Sequence, residues 1–173
     1  PWEGLHNLCR GGIQESELWG LAALIKQGKS AWMKHWAQFL GSQGRRVLIF
    51  TREMSELKIL YRMLAPLTHI PASQIRYGLD ESRVNRLLTA TKEIESFPIF
   101  IDARTSMVSD FRARVREQIR LEGIEVIFAD YLQLFHSGKK SDNRATEVGH
   151  VWRTMKETAQ DFNTRIVALA QFN

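Results

Sequence analysis

Five short apolar runs, separated by segments in which apolar residues return every three to four positions, leave this chain few folds. The runs cover residues 18–22 (with Gly20 inside), 47–50, 98–101, 126–129 and 166–170. Runs this short, mostly bounded by polar residues, read as strands buried on both faces. The spacing between them is helical: Trp32, Trp36 and Phe39; Leu57, Leu60, Tyr61 and Leu64; Val84, Leu87, Leu88 and Ile94; Phe111, Val115 and Ile119; Val148, Val151, Trp152, Met155, Ala159 and Phe162. Strands alternating with helices predict an α/β fold, a mainly parallel sheet with helices on both faces and right-handed crossovers. At 173 residues there is room for one full core, and no repeat or Pro/Gly-rich linker divides the chain, so residues 1–173 are expected to form a single domain.

Composition removes several classes. Hydrophobic residues at 44% and charged residues at 25% exclude a disordered or collagen-like chain. The longest wholly apolar runs are about five residues, far below the ~20 that span a bilayer. Cys9 cannot pair within the chain and no basic-then-apolar leader opens it, so a reducing cytoplasm is the expected location, with Cys9 an ordinary buried thiol. The five histidines lack metal-ligand spacing, and a lone cysteine excludes a zinc ribbon. A net charge of +5 favours anionic partners.

In an open parallel sheet, ligands bind beyond the carboxyl ends of the strands. After the first strand stands Ala23-Leu24-Ile25-Lys26-Gln27-Gly28-Lys29-Ser30, a phosphate loop with Ala23 at its usual first glycine. Gly28 lets the backbone wrap around phosphates, and the helix that follows offers N–H groups and a positive dipole end. Lys26, Gln27, Gly28, Lys29 and Ser30 are the candidate nucleotide-binding residues, Lys29 supplying charge and Ser30 a metal ligand. After the second strand, Ser55 is a plausible N-cap, which places Glu53 in the strand-to-helix turn. A carboxylate there suits activation of a water, and a surface glutamate is an equal alternative on the residues alone. The fourth strand ends in Asp130, suited to holding Mg²⁺ through its water shell opposite Ser30. The fifth ends in Gln171, an amide placed where a transferable phosphate could be sensed.

The segments GGIQESELWGLAALIKQGKS, FTREMS, VSDFRAR, VIFADYLQLF, NRATEV and IVALAQFN, in this order, resemble the RecA-type motor domain of DnaB-family replicative helicases over almost the whole chain. DYLQL is the most family-specific piece. The resemblance implies a ring-forming ATPase, hexameric in the full-length protein, that hydrolyses ATP with Mg²⁺ to move 5′ to 3′ along single-stranded DNA, and that meets a primase or a helicase loader. It implies that Lys29 contacts the β and γ phosphates, Ser30 and Asp130 hold the metal, Glu53 orients the attacking water and Gln171 senses the γ-phosphate. Residues 137–144 resemble a segment facing the ring's channel, which makes Lys139, Lys140 and Arg144 the candidate DNA contacts. Leu24 and Ile25 replace the family's usual Arg-Pro, and Ala103 a frequent second Asp. The family pattern runs on to a second DNA loop and an arginine that reaches the neighbouring subunit, so the chain is expected to be a fragment of a longer protein.

Two other readings stay open on the residues: a nucleotide-binding assembly module without turnover, and a recombinase or small-molecule kinase sharing the loop. The row Arg112, Arg116 and Arg120 is expected to be a solvated helix face, and Trp32, Trp36 and Trp152 to be core.

Overall fold

The computed structural model describes residues 11–77, 79–138 and 143–172. Cys9, Lys139 and Lys140 lie outside them. The elements follow in the order β1 (Leu18–Ala23), α1 (Lys29–Ser42), β2 (Val47–Thr51), α2 (Glu56–Thr68), α3 (Glu81–Glu95), β3 (Ile99–Asp102), α4 (Val108–Glu122), β4 (Val126–Asp130), a 3₁₀ turn (Leu132–Leu134), α5 (Arg144–Asp161) and β5 (Arg165–Gln171). All five apolar runs are strands, and every pairing in the sheet is parallel, in the order β1-β5-β4-β2-β3.

The helices divide between the two faces. Met33 and Ala37 of α1, Ile59, Met63 and Leu64 of α2, and Ala90 and Ile94 of α3 share a core with Val47, Ile49, Val126, Phe128, Val167 and Leu169. The residues alternating with these, Leu48, Phe50, Ile127, Ala129, Ile166 and Ala168, point to the other face and pack on Val108, Phe111 and Val115 of α4 and Val151, Met155 and Ala159 of α5. Successive side chains of a strand point to opposite faces, so an uninterrupted apolar run is what a sheet with helices on both sides demands. An aromatic cluster closes the second face: Phe111 lies 4.6 Å from Phe50 and 5.5 Å from Phe135 between ring centroids.

Burial on both faces holds for β2 and β4, which are buried throughout, and not for the sheet's edges. β1 is only partly covered and β3 is intermediate along its length. Each edge strand has one neighbour, and helices centred over the middle of the sheet cover the margins incompletely. Trp152 likewise departs from the expected core position. It is 37% exposed and its ring covers Gly20 of edge strand β1, where an added Cβ would stand 3.0 Å from Trp152 Cη2. Trp32 and Trp36 are partly buried against the core.

Of the arginine row expected to be a solvated helix face, Arg116 and Arg120 are exposed and Arg112 is partly covered. Arg112 turns to Asp161 at 2.6 Å and its guanidinium lies 5.3 Å from the Phe162 ring centroid. Arg116 and Arg120 line an open groove with Arg114 and Thr105. Among the described residues, no helix is long and apolar enough to cross a membrane.

Candidate functional site

Four adjacent strands, β1, β5, β4 and β2, deliver their carboxyl ends to one edge of the sheet, and each carries a residue singled out from the sequence. Lys29 and Ser30 follow β1, Gln171 ends β5, Asp130 ends β4 and Glu53 follows β2. The register sets Thr51 beside Asp130 and Ala23 beside Gln171, and Ala129 beside Ala168, so β1 and β5 run about two residues past the level at which β2 and β4 end.

The loop from β1 to α1 owes its shape to two residues in the left-handed region, Lys26 at φ 64° and Gly28 at φ 85°. Such alternation turns successive backbone N–H groups to one side, a concavity suited to anions. Gly28 is the N-cap of α1, and no side chain caps that end. The first N–H groups of a helix lack intrahelical partners, so here they are available to a phosphate, with the dipole favouring negative charge. Lys29 Nζ reaches back across the loop, donating to the carbonyls of Ala23 at 2.7 Å and Leu24 at 3.0 Å. An ammonium has three N–H donors, so this anchoring fixes the head group at the loop and leaves one donor for a ligand.

Asp130 is buried at the end of β4, with the Ser30 hydroxyl close enough to favour its ionised form. Burial pushes the Asp130 carboxyl above the usual range, Ser30 opposes the shift, Glu53 adds to it, and Lys34 and Lys29 oppose it. A buried carboxylate disfavoured as an anion gains from a nearby cation, and its pairing with a hydroxyl supplies hard oxygen donors. No cluster of three or more His, Cys, Asp or Glu residues suited to a metal occurs among the described residues. The oxygen donors of Ser30 and Asp130 fit Mg²⁺, which takes one or two protein oxygens and completes its shell with phosphates and water. The Asp130–Tyr131 peptide is cis.

Ser55 is the N-cap of α2, its hydroxyl accepting from Lys58 N, as its position in the sequence suggested. Glu53 is therefore exposed in the turn, close enough to Asp130 and Lys34 to act on both electrostatically. Arg52 secures the turn, its guanidinium donating to the carbonyls of Ala103 at 3.3 Å and Arg104 at 3.1 Å.

Arg144 is the first residue of α5, its guanidinium paired with Glu147 and donating to the Gln133 carbonyl. Glu147 also accepts from Ser137 N at 3.5 Å, and so bridges the two ends of residues 137–144.

Three residues at this edge escaped the sequence reading. Lys34 is buried, donates to the Ser30 carbonyl, and has its pKa pulled down to about 8 by burial and by Arg62, against the pull of Asp130 and Glu53. Its spacing from Ser30, one helical turn, was the available signal. Thr51 is buried next to Asp130 with a hydroxyl that has no hydrogen-bond partner among the described residues, and nothing local in the sequence marks it. Gln133, within DYLQL, clasps the backbone of Gln171.

The family model described as "DnaB-like helicase C terminal domain" matches residues 3–173. Two relatives named replicative DNA helicase DnaB cover 94% of the chain. The protein from Geobacillus stearothermophilus is 34% identical over 166 residues, and that from Haemophilus influenzae is 32% identical over 168. The chain spans 37% and 36% of their respective lengths. Two solved structures share the fold. A DnaB-like replicative helicase, described with its interactions with primase, has a TM-score of 0.85 at 23% identity, over 96% of this chain and 42% of that one. A second solved chain, described as an ATPase domain, has a TM-score of 0.87 at 24% identity, over 98% of this chain and 63% of that one. With the phosphate loop, the acid at the exit of β4 and the parallel sheet in place, the chain belongs to the DnaB-like helicase C terminal domain family.

Proposed function

We propose that this chain is the ATP-hydrolysing motor domain of a replicative DNA helicase that moves on single-stranded DNA in the cytoplasm. The observation that carries the reading is the meeting of an uncapped helix N-terminus, an anchored loop lysine, the Ser30–Asp130 pair and the Glu53 turn at the ends of neighbouring strands. In this reading Lys26, Gln27, Gly28 and Lys29 surround the phosphates of ATP, and Lys29 offsets charge on the β and γ groups. Ser30 and Asp130 hold Mg²⁺, which supplies charge stabilisation at the transferring phosphoryl group. Glu53 orients the attacking water, and Gln171 senses the γ-phosphate. Lys139, Lys140 and Arg144 contact the DNA backbone. A ring of six such domains and a primase or loader are the corresponding partners.

Calorimetric titration with Mg·ATP tests the nucleotide site. Lys29→Ala is expected to abolish binding, and equal titrations for the two proteins would remove the assignment. Asp130→Asn should weaken Mg²⁺-dependent binding, whereas Glu53→Gln should keep affinity and lose hydrolysis by ~10²-fold or more. The DNA contacts are tested by the salt dependence of oligonucleotide binding. Lys139→Ala with Lys140→Ala should lower the log–log slope by roughly 0.7 per contact, and an unchanged slope would exclude them.

A further inference from the structure

We infer that Gln133 is a positioning residue that ties the end of β5 to the first turn of α5 and so couples the nucleotide and DNA sites. The inference rests on the functional reading above and goes beyond it by assigning the connection between the two sites to one side chain.

The argument begins with the sheet. β4 pairs with β5 only as far as Ala129 beside Ala168, and after Asp130 the chain leaves the sheet. At Gln171, therefore, no β4 residue continues the ladder. Phe172 N still donates to Ala23 O on the β1 side, at 3.2 Å, the carbonyl that also receives Lys29 Nζ. Gln171 takes a side chain in place of the missing strand. Gln133 Nε2 donates to Gln171 O at 2.8 Å, and Gln171 N donates to Gln133 Oε1 at 3.2 Å. A carboxamide carries the donor and the acceptor that a peptide group would offer, which is why Gln can make this two-point contact. The main chain of the same residue serves the other site, since the Gln133 carbonyl accepts from the Arg144 guanidinium, itself paired with Glu147. Polar contacts thus run without a gap from the loop lysine through Ala23, the Gln171–Phe172 backbone and Gln133 to Arg144. A shift of Gln171 on nucleotide binding is passed to Arg144 through the clasp. By linkage, DNA held at Arg144 acts back on the nucleotide.

The division of labour within Gln133 gives the test. Gln133→Met removes the clasp and leaves the carbonyl that holds Arg144. Gln133→Glu keeps the acceptor for Gln171 N and loses the donor. The affinity of the 173-residue chain for a fluorescein-labelled oligo-dT is measured with and without Mg·AMPPNP, alongside hydrogen exchange at the Gln171 amide. In the wild type the nucleotide should change DNA affinity by about 5-fold or more. In Gln133→Met the change should fall below about 2-fold, with each single affinity retained and faster exchange at Gln171, and Gln133→Glu should fall between. Full coupling in Gln133→Met would overturn the inference, as would a wild type that binds both ligands independently. A wild type that binds neither ligand would instead refute the functional reading, and the inference with it.

Discussion

Replacing Lys34 by methionine should stabilise the protein at neutral pH, an unusual expectation for a residue so close to a candidate catalytic site. Lys34 is 5% exposed, and its pKa falls from 10.5 to about 8 because burial and the neighbouring Arg62 outweigh the attraction of Asp130 and Glu53. At about 1.36 kcal/mol per pH unit, holding the ammonium charged in the fold costs about 3 kcal/mol, with the attraction of the two carboxylates already included. Methionine keeps the length and removes the charge. It forfeits the hydrogen bond to the Ser30 carbonyl, worth about 1 kcal/mol, but that carbonyl keeps its place in the α1 ladder and is not orphaned. The balance is a gain of about 2 kcal/mol, which in a domain of this size raises Tm by about 4–8 °C. The pH dependence follows from the depressed pKa. Between about 8 and 10.5 the unfolded chain binds more protons than the folded one, so wild-type stability rises with pH through that window. Below about 8 the full penalty is present. The advantage of Lys34→Met should therefore be greatest at pH 7 and nearly gone at pH 10. Urea denaturation of both proteins at the two pH values measures it. A variant less stable than wild type at pH 7 would show that Asp130 and Glu53 hold the ammonium more strongly than burial opposes it, refuting the reasoning.

Three other substitutions probe the fold and the loop. Gly41→Ala would place a Cβ 2.8 Å from Ile99 Cδ1 and 3.1 Å from Phe97 Cβ, so overpacking of about 1–3 kcal/mol should exceed the ~1 kcal/mol helix-propensity gain, read by thermal denaturation. Phe111→Ala empties the centre of the Phe50–Phe111–Phe135 cluster and should cost about 3–5 kcal/mol in urea, with no new side chain able to fill the gap. Gly28→Ala meets no atom within 4 Å, so its cost is the left-handed backbone alone, about 1–2 kcal/mol; calorimetry should show weakened Mg·ATP binding together with that modest loss of stability.

What the sequence by itself determined is local. Periodicity set the five strands and the helices, because an apolar run in a two-sided sheet and a three-to-four spacing on a helix are each imposed by near neighbours in the chain. Loop chemistry did the same for Gly28, Lys29 and Ser30, and the N-cap preference of Ser55 placed Glu53 in its turn. The order β1-β5-β4-β2-β3 was decided only in three dimensions, and that order brings four strand exits together and leaves β1 and β3 as half-covered edges. The same holds for Lys34, an ordinary lysine in a helix until α1 packs on the sheet and withdraws it from water near Asp130. It holds also for Gln133 and Gln171, 38 residues apart, which meet because β4 leaves the sheet before β5 does. Contacts of that kind depend on which strands become neighbours and on where each one ends. No local pattern encodes that choice, because it is the packing of both faces at once that selects it.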